Sequence, residues 1–212
     1  MAVTAIGLDD AVELTRTGDI WLFRGHSAAD RVIRVTTNSP INHVGMAVVI
    51  DDMPPLMWHA ELGRSLVDMW SGDKHRGVQL HDLKQAVLVW HDRYGQQAWL
   101  RQLEPVATRE MEDAILRTIA RMDGLPFPST TRLATKWLRG RLRTRAENKL
   151  ETAYCAEVVA ATYQSMSLLP SDRDATWYDP GRFWSGDDLH LDSGYRLADE
   201  VAITIGAAPT PR

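Results

Sequence analysis

The sequence predicts an α+β domain in which an antiparallel, curled sheet packs against helices that follow it. Two observations indicate this class. Short runs of β-branched and apolar residues alternate with turn residues through the first half, whereas from Thr108 onward apolar residues recur at helical spacing. The chain has 212 residues, the length of one globular domain, so we expect a single domain over residues 1–212.

The predicted strands share β-branched or bulky apolar residues and flanking turn residues. The segments 43–50 and 56–60 are separated by the turn sequence Asp51-Asp-Met-Pro-Pro55, which predicts an antiparallel hairpin. The full set of predicted strands is 17–24, 43–50, 56–60, 77–81, 86–90, a shorter one within 64–69, and a closing strand at 201–205.

Three helices are predicted. A short one at 27–37 has Ser27 as its N-cap. The clearest begins at Thr108 and ends near Met122, because Gly124 and a following proline terminate it. The third spans 153–166 and places Cys155 in its first turn. A helical basic segment is expected at about 128–150, and a polar C-terminal segment from about 170.

Composition and charge narrow the function classes. The formal net charge is −4 and the sequence pI is about 6.0, which argues against nucleic-acid binding. The N-terminal residues show no export signal, and no apolar run reaches the roughly 18 to 20 residues of a membrane span. We therefore expect a cytoplasmic protein. A single cysteine excludes intramolecular disulfides and multi-cysteine zinc sites, and we expect no cofactor.

Cys155 is the candidate nucleophile. A helix N-terminus lowers the pKa of a thiol through its unsatisfied N–H groups and its dipole, and thiolate is the reactive form. The alternative is structural, since free cysteines are among the most buried residue types.

His43 is the candidate base, because it begins a predicted strand directly after the loop Asn38-Ser-Pro-Ile-Asn42. His59 lies on the predicted partner strand, where it can bond the second nitrogen of His43 and fix its tautomer. Glu61 projects to the same face and is the substitute for His59.

These segments together resemble a known group. The order Gly18-Asp-Ile, Ser39-Pro-Ile-Asn-His-Val-Gly-Met46, Trp58-His-Ala60 and Tyr154-Cys-Ala-Glu-Val-Val159 is similar to the permuted branch of the NlpC-type papain-like superfamily, with its YiiX-like hydrolases and the lecithin:retinol acyltransferase group. In that branch the histidine strand precedes the cysteine helix, as it does here.

The resemblance implies a circularly permuted papain-like fold and a Cys155–His43 pair completed by His59 or Glu61. It implies a cysteine-dependent hydrolase or acyltransferase acting on an amide, ester or thioester bond of a peptide or lipid-like acyl substrate. The backbone N–H of Cys155 would help to hold the oxyanion. Ala156 departs from the serine often found after the cysteine. The predicted substrate contacts are Tyr154, Trp58 and Trp184.

Two other functions compete. One is a catalytically silent lipid- or peptide-binding module of the same fold. The other is a metal-dependent hydrolase built from the histidines of the first half, although their spacing matches no compact ligand motif and a scattered surface arrangement is the simpler interpretation. The histidines are His26, His43, His59, His75, His81 and His91.

One stretch is basic and amphipathic and suits peripheral contact with an anionic membrane, or a solvated helix whose apolar side packs on the body. Its basic residues are Arg132, Lys136, Arg139, Arg141, Arg143, Arg145 and Lys149.

Overall fold

The structure is a computed structural model that describes residues 5–25, 40–61, 63–126, 143–187 and 189–206. Residues 143–153 and 187 are described by their backbone alone. The predicted helix at 27–37 and most of the basic segment lie outside the described residues. The class is α+β with a mostly antiparallel sheet, as the sequence predicts.

The described part of the chain contains nine strands and four α-helices. The strands are β1 Ala5–Gly7, β2 Ile20–Arg24, β3 His43–Val48, β4 Leu56–Glu61, β5 Gly77–Asp82, β6 Gln97–Arg101, β7 Leu103–Glu104, β8 Arg196–Leu197 and β9 Val201–Thr204. The α-helices are α1 Leu8–Leu14, α2 Leu83–Tyr94, α3 Arg109–Met122 and α4 Arg143–Ser165. Short 3-10 turns lie at Ala175–Trp177, Pro180–Phe183 and Ser185–Asp187.

Seven strands form one sheet in the order β1-β9-β6-β2-β3-β4-β5, and β7 pairs with β8 separately. All pairs in the large sheet are antiparallel except β1 with β9. The predicted hairpin is confirmed, since β3 pairs with β4 in the register Met46–Trp58. The strand predicted at 77–81 is confirmed as β5, which extends the meander beside β4.

The strand predicted at 86–90 is wrong, because these residues lie inside α2. The carboxylate of Asp82 accepts a hydrogen bond from the backbone N–H of Gln85 and caps the helix start. Gly95, with a φ of 62°, supplies the left-handed residue that ends it. A short apolar run fits either a strand or a buried helix, and here the caps decide. Residues 64–69 form a loop, so the short strand predicted there is also wrong.

The helices cover the two faces of the large sheet. On one face, α1 and α2 pack against strand residues such as Trp21, Phe23 and Met57. On the other face, α3 and α4 pack against the alternate strand residues, among them Val44 and Trp58. Because successive strand residues point to opposite faces, each strand contributes to two separate cores.

No helix among the described residues combines the length and apolar character that a membrane crossing requires.

Candidate functional site

Three histidines lie side by side on adjacent strands. His43 is the first residue of β3, His59 lies on β4 and His81 on β5. His43 is opposite Phe23, and His81 is opposite Met57, so the alternation of side chains directs all three rings to the face covered by α2. The sheet register therefore brings together residues that are up to 38 positions apart in the chain, from 43 to 81.

Hydrogen bonds connect the three rings into a chain. His43 Nε2 lies 3.2 Å from His59 Nδ1, and His59 Nε2 lies 3.0 Å from His81 Nδ1. His81 Nε2 lies 3.1 Å from Oε1 of Gln79. We call these four side chains the histidine relay. The contact that the sequence predicts between His43 and His59 is present, and the relay continues beyond it.

Aromatic side chains cover the relay. The Trp90 ring of α2 lies 5.0 Å from the His43 ring and 4.9 Å from the His59 ring, centroid to centroid, in edge contacts. Phe23 lies 5.8 Å from His43 and packs on Trp90. His59 is fully buried, and His43, the most exposed member of the relay, is only 6% exposed. The rings thus lie in a dry environment between the sheet and α2.

Burial sets the charge of the relay. It lowers the pKa of His43 to about 3 and that of His81 to about 4, because the protonated form loses its hydration. The pKa of His59 is also well below 6.5, from burial and from the charges its two histidine neighbours would carry. All three rings are therefore neutral at pH 7, and each has one N–H and one lone pair.

Gly45 explains the glycine of the His-Val-Gly segment. It lies on the same face as His43, two residues along β3, and a Cβ there would overlap the Sδ of Met57 and touch the Cβ of His59. The missing side chain lets β4 present Met57 and His59 close against β3.

Within the described residues, two groups of side chains have the donors and spacing to hold a metal ion. In the first, His59, Glu61 and His81 place one ligand atom each within 4.8 Å of one another, and all three are buried. Glu61 Oε2 lies 3.9 Å from His81 Nδ1. Two imidazoles and a carboxylate form a donor set typical of zinc and similar cations. The sequence interpretation of scattered surface histidines is therefore wrong for His43, His59 and His81.

The second group is Asp68, His75 and Asp123, of which only Asp68 is fully buried. Asp68 accepts hydrogen bonds from Ser71 and from the backbone N–H of Leu80, and these bonds hold the loop of residues 64–69 against β5. Its structural role is thus already defined by its partners.

Cys155 lies in the middle of α4. The helix begins at Arg143, about three turns before the cysteine, whereas the sequence analysis begins it at residue 153. The placement of Cys155 in a first turn is therefore wrong, and the argument that a helix N-terminus activates its thiol does not apply. The side chain is fully buried in the core on the α4 face.

The sheet lies between the two predicted partners. Cys155 packs in the same core as Val44 and Trp58, on the face opposite to the His43 ring. The structure thus brings His43, His59 and Glu61 to one face and places Cys155 on the other. Because His43 is the first residue of β3, its ring lies at the end of the sheet, close to where the strand begins.

The three predicted substrate contacts lie in different surroundings. Trp58 is fully buried, and its Nε1 donates to Thr162 Oγ1 at 3.0 Å, so it anchors α4 to β4. Tyr154 precedes the cysteine and is 8% exposed. Trp184 is half-buried and packs on Trp99 at 5.5 Å.

The sequence analysis names His81 only among the histidines of the metal alternative, and Gln79 is absent from it. A signal was available, since both lie in a correctly predicted strand and alternate on one face, as His59 and Glu61 do on β4. The missing information was the register between β4 and β5, which pairs His59 with Gln79.

The chain was compared with family models, with curated proteins and with solved structures. No family model matches the sequence, and no curated protein matches it. Among solved structures, the chain is similar to the metalloprotein YiiX from Escherichia coli O157:H7, with 21% sequence identity and a TM-score of 0.47. The match covers 72% of this chain and 66% of YiiX, so the chain spans slightly less than two thirds of that structure.

Proposed function

We propose that this protein is a cysteine-dependent hydrolase or acyltransferase with a permuted papain-like fold, in which His43 is the general base and Cys155 the nucleophile. The observation that carries the proposal is the hydrogen bond of 3.2 Å between His43 Nε2 and His59 Nδ1. A base needs its second nitrogen held by a neighbour so that the first faces the reaction. The sequence motifs indicate the same pair of histidines.

The chemistry follows from the roles of these groups. His43 takes the proton of the Cys155 thiol at Nδ1, and the thiolate attacks the carbonyl carbon of an amide, ester or thioester. His43 then gives the proton to the leaving group. Water or a second nucleophile, deprotonated by His43, attacks the acyl-enzyme and releases Cys155.

The proposal adds one movement to the structure. Cys155 is buried on the α4 face, so the thiol has to come around the start of β3 to meet His43. His43 lies at the start of β3, and α4 packs directly on β3 and β4, so the movement requires α4 to shift on these strands.

The substrate class is a peptide or lipid-like acyl compound. An aromatic and cationic cluster lies at the C-terminal end of β2. It contains Trp99, Trp184 and the Arg24 guanidinium, which lies 5.0 Å from the Trp99 ring centroid and 5.8 Å from that of Trp184. Such a cluster suits an acyl group with a polar or anionic end. Membrane contact through the basic segment 128–150 remains part of the proposal.

Thiol labelling tests the pair, because Cys155 is the only cysteine. We expect iodoacetamide to modify native protein appreciably below pH 8, and His43→Ala to slow the modification. His190→Ala, at an exposed histidine, is the matched control and should leave the rate unchanged. Labelling that rises only near the ordinary thiol pKa of about 8.5, with no response to His43→Ala, would contradict the dyad.

Hydrolysis of short-chain p-nitrophenyl esters gives a second readout. Loss of an effective general base lowers rates by about 10²–10⁴-fold, so His43→Ala and Cys155→Ala should both lose that factor in kcat/KM. Folded wild-type protein that shows no turnover would favour the silent binding module.

A metal-dependent hydrolase is the second candidate, favoured by the spacing of His59, Glu61 and His81. Zinc titration of the purified protein, followed by calorimetry, tests it. A stoichiometric site lost in Glu61→Gln, with activity removed by a chelator and insensitive to iodoacetamide, would replace the cysteine mechanism by this one.

A further inference from the structure

We infer that Gln79 is a positioning residue that sets the proton positions along the whole histidine relay and leaves the lone pair of His43 on Nδ1. The catalytic meaning of that lone pair rests on the proposed function. The proton positions themselves rest only on hydrogen-bond geometry.

The orientation of the Gln79 amide is fixed by its neighbours. Its Nε2 lies 3.2 Å from the backbone carbonyl oxygen of Glu61 and 3.3 Å from that of Gly77. Both are acceptors only, so the amide NH₂ group faces them. Turning the amide would direct its oxygen at two carbonyl oxygens in a buried place. The Oε1 atom of Gln79 therefore faces His81.

The orientation passes from ring to ring. Since an amide oxygen only accepts, His81 Nε2 carries the proton at the 3.1 Å contact, and the Nδ1 atom of neutral His81 has the lone pair. His59 Nε2 then donates across 3.0 Å, which leaves the lone pair of His59 on Nδ1. His43 Nε2 donates to that atom across 3.2 Å. All three rings are Nε2–H tautomers.

Among the residues that the structure describes, no hydrogen bond to a relay ring reverses this order. The carboxylate of Glu61 is 3.9 Å from His81 Nδ1, beyond hydrogen-bond reach. The opposite set of tautomers would place the lone pair of His81 Nε2 against the oxygen of Gln79. An unsatisfied buried pair of acceptors disfavours that set by about tenfold to a hundredfold in population.

The consequence for His43 is that the tautomer a general base needs is set before any substrate arrives. Burial, which lowers the pKa of His43 to about 3, keeps the resting ring a weak base. Its Nδ1 has the lone pair, and its Nε2–H already donates to His59, so proton uptake needs no reorientation of the rings. A wrong tautomer would present an N–H to the nucleophile and would have to exchange first.

Metal binding at His59 and His81 requires that His59 Nε2 has no proton. An ion held by His59 Nε2 and His81 Nδ1 requires a lone pair on both nitrogens, whereas the relay has a proton between them. The two states therefore exclude each other and have different spectra.

Nitrogen NMR of protein labelled with ¹⁵N-histidine reads the tautomers directly. We expect His43, His59 and His81 of the wild-type protein to be Nε2–H tautomers at pH 7. A proton on Nδ1 of His43 in the wild-type spectrum would overturn the inference, and so would a spectrum showing bare nitrogens at both His59 Nε2 and His81 Nδ1. This measurement needs no substrate and no variant.

Two variants then test the role of Gln79. Gln79→Met keeps the shape and removes the acceptor, and we expect mixed tautomers at His81 and His43 together with about a tenfold fall in kcat and little change in KM. Gln79→Glu, protonated on the oxygen that faces the two carbonyls, keeps an acceptor for His81 and should keep the wild-type tautomers. Unmixed tautomers in folded Gln79→Met would overturn the role of Gln79.

The outcomes separate the two proposals. Nε2–H tautomers in a protein whose Cys155 is unreactive would support the relay and contradict the cysteine mechanism. A reactive Cys155 beside a His43 protonated on Nδ1 would do the reverse.

Discussion

The two faces of the large sheet are built from the same strands but have opposite chemistry. Under α2, the residues His43, His59, Gln79 and His81 form a connected polar relay beneath Trp90. Under α4, the alternate residues are apolar, and Cys155 is one member of that core. The residues under α2 therefore form specific hydrogen bonds, whereas the residues under α4 mainly pack against one another.

The largest expected effect comes from removing the cover of the polar face. Trp90 is 3% exposed and contacts two rings of the relay. Trp90→Ala should lower the free energy of unfolding by about 3–5 kcal/mol, from lost burial and the cavity left behind. Urea denaturation measures it. Tyr94→Ala, at a 45% exposed residue of the same helix, is the control and should change stability by less than about 1 kcal/mol.

The pH dependence of stability should also come from the polar face. The pKa of each relay histidine is lower in the folded protein than its ordinary 6.5, so the unfolded chain binds more protons as the pH falls below that value, and stability is lost. For His81, with a folded pKa of about 4, the loss is about 3 kcal/mol by pH 4.

A buried carboxyl acts in the opposite direction. Burial raises the pKa of Asp19 from 3.8 to about 6, so the folded protein keeps a proton that the unfolded chain releases, and stability is gained by about 2 kcal/mol as the pH falls from 6 to 4. Burial also raises the pKa of Asp123, to about 7, and this carboxyl acts in the same direction as Asp19. The three histidines oppose these two carboxyls, so the net result is a smaller loss of stability. Urea midpoints at pH 7.5 and pH 5 measure it. Asp19→Asn should steepen the loss, and equal midpoints would contradict the neutral relay.

The apolar face is tested at Cys155. A hydroxyl in an apolar core costs about 1–3 kcal/mol more than a methyl group, so Cys155→Ser should be less stable than Cys155→Ala by that amount. Thermal unfolding of the two variants compares them directly. A serine variant as stable as the alanine variant would place the thiol in a polar cleft, in favour of a dyad that forms in the resting protein.

The smallest effect concerns the start of the covering helix. Asp82→Ala removes the cap that accepts from the Gln85 N–H, and should cost about 1 kcal/mol. Hydrogen exchange at the first turn of α2 should increase as well. Asp82→Asn keeps an accepting oxygen and should retain most of the stability, and a loss equal to that of alanine would argue against the cap.

Much of the sheet is predictable because its signals are local. The β-branched and bulky apolar residues of 43–50 and 56–60, with a turn between them, predict β3, β4 and their pairing. Thr108 and Gly124 likewise bound α3. The hydrogen bond between His43 and His59 follows from the same hairpin.

The remainder depends on information that a single sequence holds weakly. The segment 86–90 is apolar and short, so its period does not separate strand from helix, and only the caps Asp82 and Gly95 do so. The helix predicted at 153–166 is longer in the structure, where α4 spans Arg143–Ser165. Residues 143–152 include good helix formers such as alanine, glutamate and leucine, which continue the helix upstream. The contact of His81 with His59 depends on a register across a 15-residue connection from 62 to 76, which no local signal sets.

The Gln79 amide also determines what the buried row of rings can carry. A carboxamide neither takes up nor releases a proton at physiological pH. The same is true of the backbone carbonyl groups of Glu61 and Gly77, which accept hydrogen bonds from the Gln79 amide. A proton taken up at His43 therefore has to leave through His43 as well. The relay does not conduct protons from one side to the other. Hydrogen–deuterium exchange of the ring N–H groups should therefore be slowest at His81, the ring next to Gln79.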